Sequence, residues 1–298
     1  MFPTIRSLAR SLAVLFLLLG AGWSLPATAD GGRHTFWEVS GQHNKLWLFG
    51  SVHLLQEADA ALPEVADQAY GDAETIVGEL DLMSAIAGMM SPKMLALQML
   101  PEGQTLAAAL GPDLYQRLKQ EADKLGMDTD FMIRYQPWFA ALQIQQLRLV
   151  RAGFDPLQGI DLQIAMRAGA DGKPMRGLEQ VEDQLSLFAG LSMQEQREFL
   201  RATLDEQDLD VQMQGITRAW RTGDLEVLGK LLREGAEQSP ALFSKLTTDR
   251  NLRWLPQIEK MLQDPVNDYL VVVGALHMVG PDGLVELLRR RGYRVEQK

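Results

Sequence analysis

Two aromatic, β-prone runs, Thr35-Phe36-Trp37-Glu38-Val39 and Lys45-Leu46-Trp47-Leu48-Phe49-Gly50, enclose the turn residues Ser40-Gly41-Gln42-His43-Asn44. That pattern predicts a β-hairpin. Residues 62–73 follow as a short helix, with Pro63 at a permitted early position. Thr75-Ile76-Val77-Gly78-Glu79-Leu80 reads as a further strand. From about 84 to 250 the pattern is mostly helical, as in 106–125, 138–152, 160–168 and 192–204, with Gly and Pro between the runs. Pro174-Met175-Arg176-Gly177-Leu178 is a short strand candidate inside this region. Tyr269-Leu270-Val271-Val272-Val273 is a continuous apolar, β-branched run, the mark of a strand buried on both faces. A helix at 283–291, with a basic last turn, and a strand at 292–295 complete the chain.

The order is therefore hairpin, helix, strand, a long helical stretch, then strand, helix, strand. It predicts an α+β (α/β-like) domain over residues 30–298. Its mixed central sheet is split between the two ends of the sequence, with a helical insert at about 84–250. The 269–273 strand is expected to be central and parallel to 45–49. No linker rich in Gly, Ser or Pro interrupts the chain after residue 35.

Composition narrows the chemistry. The 298 residues are 46% hydrophobic and 23% charged, which excludes a disordered or collagen-like chain. Acidic residues outnumber basic ones, 39 to 29, for a formal charge of −10. Nonspecific binding to nucleic acid is disfavoured. Cysteine is absent, so disulfides, thiolate metal sites, a Cys nucleophile and a lipoprotein anchor are all excluded. Any metal must be held by nitrogen and oxygen, and only His34, His43, His53 and His277 offer imidazoles.

Residues 1–29 stand apart. Arg6 and Arg10 precede an apolar run at 12–22, and Ala27-Thr28-Ala29 supplies a cleavage site. This is the layout of a secretory signal peptide. The run is shorter than the roughly 20 residues that a membrane span needs. The expectation is an exported protein, periplasmic or secreted, without a stable membrane span once the leader is removed. The other reading is an uncleaved anchor.

Two segments carry one local pattern. Leu46-Trp47-Leu48-Phe49-Gly50-Ser51-Val52-His53 and Leu270-Val271-Val272-Val273-Gly274-Ala275-Leu276-His277 are each a strand ending in Gly-x-x-His. Glycine allows a sharp exit from the strand, and the histidine then projects from the sheet edge, where open α/β sheets bind ligands. Glu79 ends the third candidate strand and would emerge at the same edge if the strands run parallel. Two histidines and a carboxylate suit a divalent ion with open coordination positions. The alternative is a pair of hydrogen-bonded structural histidines and a solvated glutamate. Gly31-Gly32-Arg33-His34 has the same spacing but no strand before it and is set aside. The signatures H-E-x-x-H, G-x-S-x-G, the P-loop and the dinucleotide fingerprint are absent from the sequence. Met83, Met89, Met90, Met94 and Met99 read as core or as a flexible apolar groove.

Further motifs follow in order: Leu48 to Leu54, Val77-Gly78-Glu79-Leu80-Asp81, Gly159-Ile160-Asp161, Gly172-Lys173-Pro174, Leu178-Glu179, Glu182-Asp183-Gln184, Asp249-Arg250-Asn251 and Val273 to Gly280. Together, across residues 35–296, the sequence resembles the TraB/GumN family, which includes bacterial proteins of largely unknown role and the Tiki metalloproteases of animals. The resemblance implies a metal-dependent hydrolase of the peptidase kind, with a peptide or small-molecule substrate. It implies a divalent ion (Zn, Mn or Co) at His53, Glu79 and His277. Asp161, Glu179, Arg250 and Asn251 fall in the other polar motifs. Asp161 or Glu179 is then the candidate general base, and Arg250 the candidate oxyanion stabiliser. Read without the family, Asp161 caps a helix and Arg250 makes an ion pair. Met278 stands where the family usually has Leu. The competing class is a non-catalytic periplasmic binding protein that uses the same cleft.

Overall fold

The computed structural model describes residues 33–89, 91–238 and 240–298, so the expected leader and Met90 lie outside the described residues. Six strands form one mixed sheet: β1 (Phe36–Ser40), β2 (Lys45–Ser51), β3 (Thr75–Gly78), β4 (Met175–Gly177), β5 (Tyr269–Gly274) and β6 (Arg294–Gln297). Their order is β4-β3-β5-β2-β1-β6. β1 and β2 make the expected antiparallel hairpin, with Phe36 opposite Phe49 and Ser40 opposite Lys45. β6 pairs antiparallel with the outer side of β1.

The position of β5 follows from its composition. Leu270, Val271 and Val273 have no exposed surface, and only an interior strand covered on both faces can bury such a run. β5 lies between β2 and β3, parallel to both, and β4 runs parallel to β3. Four neighbouring strands therefore end at one edge. In register, Ser51 faces Gly274, Val272 faces Gly78, and Gly78 faces Gly177.

The region between β3 and β5 is helical apart from β4, as the periodicity predicts. Residues 106–125 do not form one helix. The chain breaks at Gly111, where φ is +76°, into Leu106–Leu110 and Pro112–Lys124. Two apolar clusters result. One packs both faces of the sheet. The other lies within the helical region, where Trp138 stacks on Phe188 and Phe188 on Phe199 at centroid distances of 5.6 and 5.9 Å. Met94 belongs to that second cluster, whereas Met83 is exposed, so the methionines form no single unit. No helix among the described residues is long and apolar enough to cross a membrane.

Candidate functional site

The carboxyl ends of β2, β3, β4 and β5 deliver His53, Glu79, Glu179 and His277. A Cβ placed on Gly274 would lie 3.3 Å from Glu79 Oε1, 3.5 Å from His53 Nε2 and 3.6 Å from His277 Cδ2. His53, Glu79 and His277 therefore surround one point, and the missing side chain of Gly274 leaves that point open. The space is a cavity of about 30 Å³, enough for one water-sized particle. Its opposite wall is apolar: Met213 and Ile216 from the helix Leu209–Arg221, and Leu228 from Leu225–Gln238. His34 lies two residues before β1, and His43 lies in the hairpin turn.

His53 is held by Asp161. Its Nδ1 lies 2.7 Å from Asp161 Oδ2, and the Ser51 hydroxyl donates to Asp161 Oδ1 at 2.6 Å. Gly159 makes this approach possible, because any Cβ there would sit 2.2 Å from the His53 carbonyl oxygen. The helix Ile160–Asp171 can then start against the loop leaving β2, with the Ile160 N–H bonded to the Val52 carbonyl at 3.0 Å. Asp161 is not the helix cap. Gly159 takes that position, and the Asp161 carboxylate turns to Ser51 and His53. Burial disfavours a charged His53, but the Asp161 carboxylate, by charge and hydrogen bond, and the charge of Glu79 outweigh it and raise its pKa to about 9.

Arg250 dominates the other side. It lies in the helix Thr248–Leu262 and is 1% exposed. Its Nε donates to Glu179 Oε1 at 2.9 Å, and Nη2 donates to the same oxygen at 2.6 Å and to Glu79 Oε2. Nη1 donates to the Leu246 carbonyl at 3.1 Å and to His277 Nε2 at 3.0 Å. A guanidinium has five N–H donors, and all five are used here. Burial opposes the charge on Arg250, and Glu79 and Glu179 more than restore it. Burial likewise pushes Glu79 up. The Arg250 charge, then the two histidines and the Gly274 N–H at 2.8 Å, reverse this and hold Glu79 well below the usual carboxylate range. Glu179 also accepts from Gln184 at 2.8 Å and from Trp254 Nε1 at 3.3 Å. Its carboxylate holds Arg250 and does not face the open cavity.

His277 is the inverse of His53. Asn251 Nδ2 donates to the carbonyls of His277 and Asp282, at 3.2 and 2.8 Å, so its Oδ1 is the atom 2.7 Å from His277 Nδ1. Nδ1 therefore carries the proton and Nε2 the lone pair. Burial first, and then the Arg250 charge, press its pKa down to about 3 against the opposing pull of Glu79. The donor set suits a divalent ion. Each histidine has its Nδ1 anchored by an oxygen acceptor, the usual arrangement around a metal, and His53 Nε2 lies beside the open point while His277 Nε2 lies against Arg250. Yet no three His, Asp or Glu side chains among the described residues already form a ligand set. Arg250 holds His277 Nε2 and the other oxygen of the Glu79 carboxylate, Oε2.

Sequence reasoning passed over Ser51, Gln184 and Trp254 as site members. Arg250 and Trp254 follow i, i+4 spacing on one helix, a signal that could have linked these two. Gln184 Nε2 bridges Glu79 at 3.2 Å and Glu179 at 2.8 Å, and its place in the Glu182-Asp183-Gln184 motif was the one signal for that role.

Comparison with known proteins agrees with this arrangement of motifs. The profile of the TraB/PrgY/gumN family matches residues 35–297. A zebrafish (Danio rerio) protein named Metalloprotease TIKI2 is 24% identical over 307 residues, covering 84% of this chain and 58% of its own length. The uncharacterized protein YbaP of Escherichia coli K12 is 24% identical over 276 residues, covering 91% of this chain and 95% of its own. An uncharacterized protein of Treponema pallidum is 19% identical over 284 residues, covering 90% and 84%. The chain thus spans little more than half of the zebrafish protein but nearly all of YbaP. No solved structure gives a significant match.

Proposed function

The chain belongs to the TraB/PrgY/gumN family, and on that premise we propose that it is a metal-dependent hydrolase acting on peptide bonds or related small substrates. The observation that carries this reading is the convergence of His53 Nε2, Glu79 Oε1 and the His277 ring beside Gly274. These three residues would hold the ion. When bound, it would lower the pKa of a water molecule and polarise the scissile carbonyl. Asp161 engages Nδ1 of His53 and Asn251 engages Nδ1 of His277, which leaves Nε2 as the ligating nitrogen of each ring. Arg250 keeps Glu79 ionised. The apolar wall formed by Met213, Ile216 and Leu228 shields the reacting groups from water. The name of the zebrafish relative supports a metalloprotease class, and the leader-like residues 1–29 support export to the periplasm.

A second reading is favoured by the full commitment of the Arg250 donors. Here no ion is needed: Arg250 is the fixed cation and the His53–Asp161 pair moves the proton, with His53 as a general acid below about pH 9. A binding protein using the same cleft would show no turnover under either condition.

Elemental analysis of protein purified without a histidine tag separates these readings. The metal reading expects a bound divalent ion, lost in both His53→Ala and His277→Ala, and weakened less completely in Glu79→Gln, whose amide oxygen still coordinates. Circular dichroism should show all three variants folded. Unchanged metal content in both histidine variants would remove the metal reading. Turnover that survives chelation would establish the second.

A further inference from the structure

We propose that Arg250 and the divalent ion are alternative partners for His277 Nε2 and the Glu79 carboxylate, so that ion binding requires the Arg250–His277 contact to open. This inference rests on the metal reading above. Three observations carry it. First, His277 has one nitrogen to offer. Its Nδ1 proton is fixed on Asn251, whose own amide N–H groups are spent on two carbonyls and hold the side chain in that orientation. Nε2 is the remaining lone pair, and Arg250 Nη1 donates to it at 3.0 Å. Second, Glu79 Oε2 is taken by Arg250 Nη2 and by Gln184. Third, the cavity of about 30 Å³ leaves room for one small particle, not for a guanidinium retreating beside an ion.

The chemistry follows from valence and charge. An imidazole lone pair serves one partner at a time. An ion that left Arg250 in place would find only His53 Nε2 and Glu79 Oε1, too few for a stable open site. The metal-free protein is complete without an ion, because the guanidinium has every donor satisfied and packs 4.6 Å from the Trp254 ring. The arginine thus supplies the positive charge that two buried glutamates require until an ion replaces part of that role. Ion affinity is therefore lowered by the strength of the Arg250 contacts that the ion must displace.

The test is calorimetric titration of Mn²⁺ into the full chelator-stripped protein, for wild type and Arg250→Lys. Lysine keeps the charge, but a single ammonium cannot span Glu179, Glu79 and His277 together. Competition predicts that Arg250→Lys binds Mn²⁺ about tenfold more tightly than wild type. Nitrogen NMR of the wild type with Zn²⁺ provides the same answer without a variant. The His277 Nε2 resonance should shift only as the slowed Arg250 Nη signal is lost. Equal or weaker Mn²⁺ binding by a folded lysine variant would overturn the proposal, as would a shifted His277 with Arg250 unperturbed. Absence of binding by every folded form at millimolar Mn²⁺ would instead overturn the metal reading, and the competition with it.

Discussion

Gly50-Ser51-Val52-His53 and Gly274-Ala275-Leu276-His277 belong to adjacent parallel strands ending at the same edge with the same spacing, yet the pKa values of their histidines shift in opposite directions. His53 keeps about a fifth of its side chain exposed, faces the Asp161 carboxylate and holds a proton up to about pH 9. His277 is buried, faces the neutral amide of Asn251 and the Arg250 cation, and stays neutral to about pH 3. The glycines diverge as well. A Cβ on Gly50 would meet Ala275 Cα at 3.0 Å, so this glycine lets two backbones pack. A Cβ on Gly274 would enter the cavity itself. The motif sets where a histidine emerges, and the partner on another element sets what it does.

Exchanging the partner is the strongest way to break this asymmetry. Asp161→Asn should drop the His53 pKa from about 9 to at or below its ordinary 6.5, read by NMR titration of the ring nitrogens. In wild type, the stability contributed by His53 is complete below pH 6.5 and is lost as pH rises through about 9, because the folded state binds its proton more tightly. The melting temperature should fall across that window in wild type and stay nearly flat in Asp161→Asn, which at pH 7 should be about 2–3 kcal/mol less stable. A His53 titration unmoved by the substitution would refute the assignment.

The glycines give a smaller contrast. Gly50→Ala should cost about 1–3 kcal/mol through backbone overpacking, measured by urea denaturation. Gly274→Ala has a permissive φ of −50° and should cost under about 1 kcal/mol. It should nonetheless weaken divalent-ion binding by about tenfold, because its methyl group meets Glu79 Oε1 and His53 Nε2. Equal effects of the two variants on stability and binding alike would erase the distinction.

The smallest effect is expected where the comparison is sharpened. Asn251→Asp gives His277 a carboxylate like that of His53. Its pKa should rise from about 3 but remain below neutrality, since burial and Arg250 still oppose the charge. A His277 that titrates above pH 7 in this variant would show that the acid partner alone decides.

Much of the frame was legible from local pattern. The apolar run of β5 announced an interior strand, the aromatic hairpin announced β1 and β2, and periodicity marked the helical region between β3 and β5. Strand ends were less legible. The run from Thr75 was expected to reach Leu80, but the ladder stops at Gly78 and leaves Glu79 free to turn toward Gly274. The candidate site was legible as a set of residue types at strand ends. Their roles were not, because Asp161 suits a cap, a base and an imidazole partner equally well until its neighbours are known.

The sequence by itself determined that four strand ends carry imidazoles and carboxylates, that no thiol can take part, and that a glycine stands three residues before each of His53 and His277. Those properties depend on residue type and short-range periodicity. The tertiary structure alone decided that Arg250, 171 residues along the chain from Glu79, shares a carboxylate with it. It also decided that Asn251 fixes the tautomer of one histidine while Asp161 charges the other. Charge state, tautomer and competition for a lone pair depend on distance and burial, and these arise only when helices far apart in sequence pack on one sheet edge.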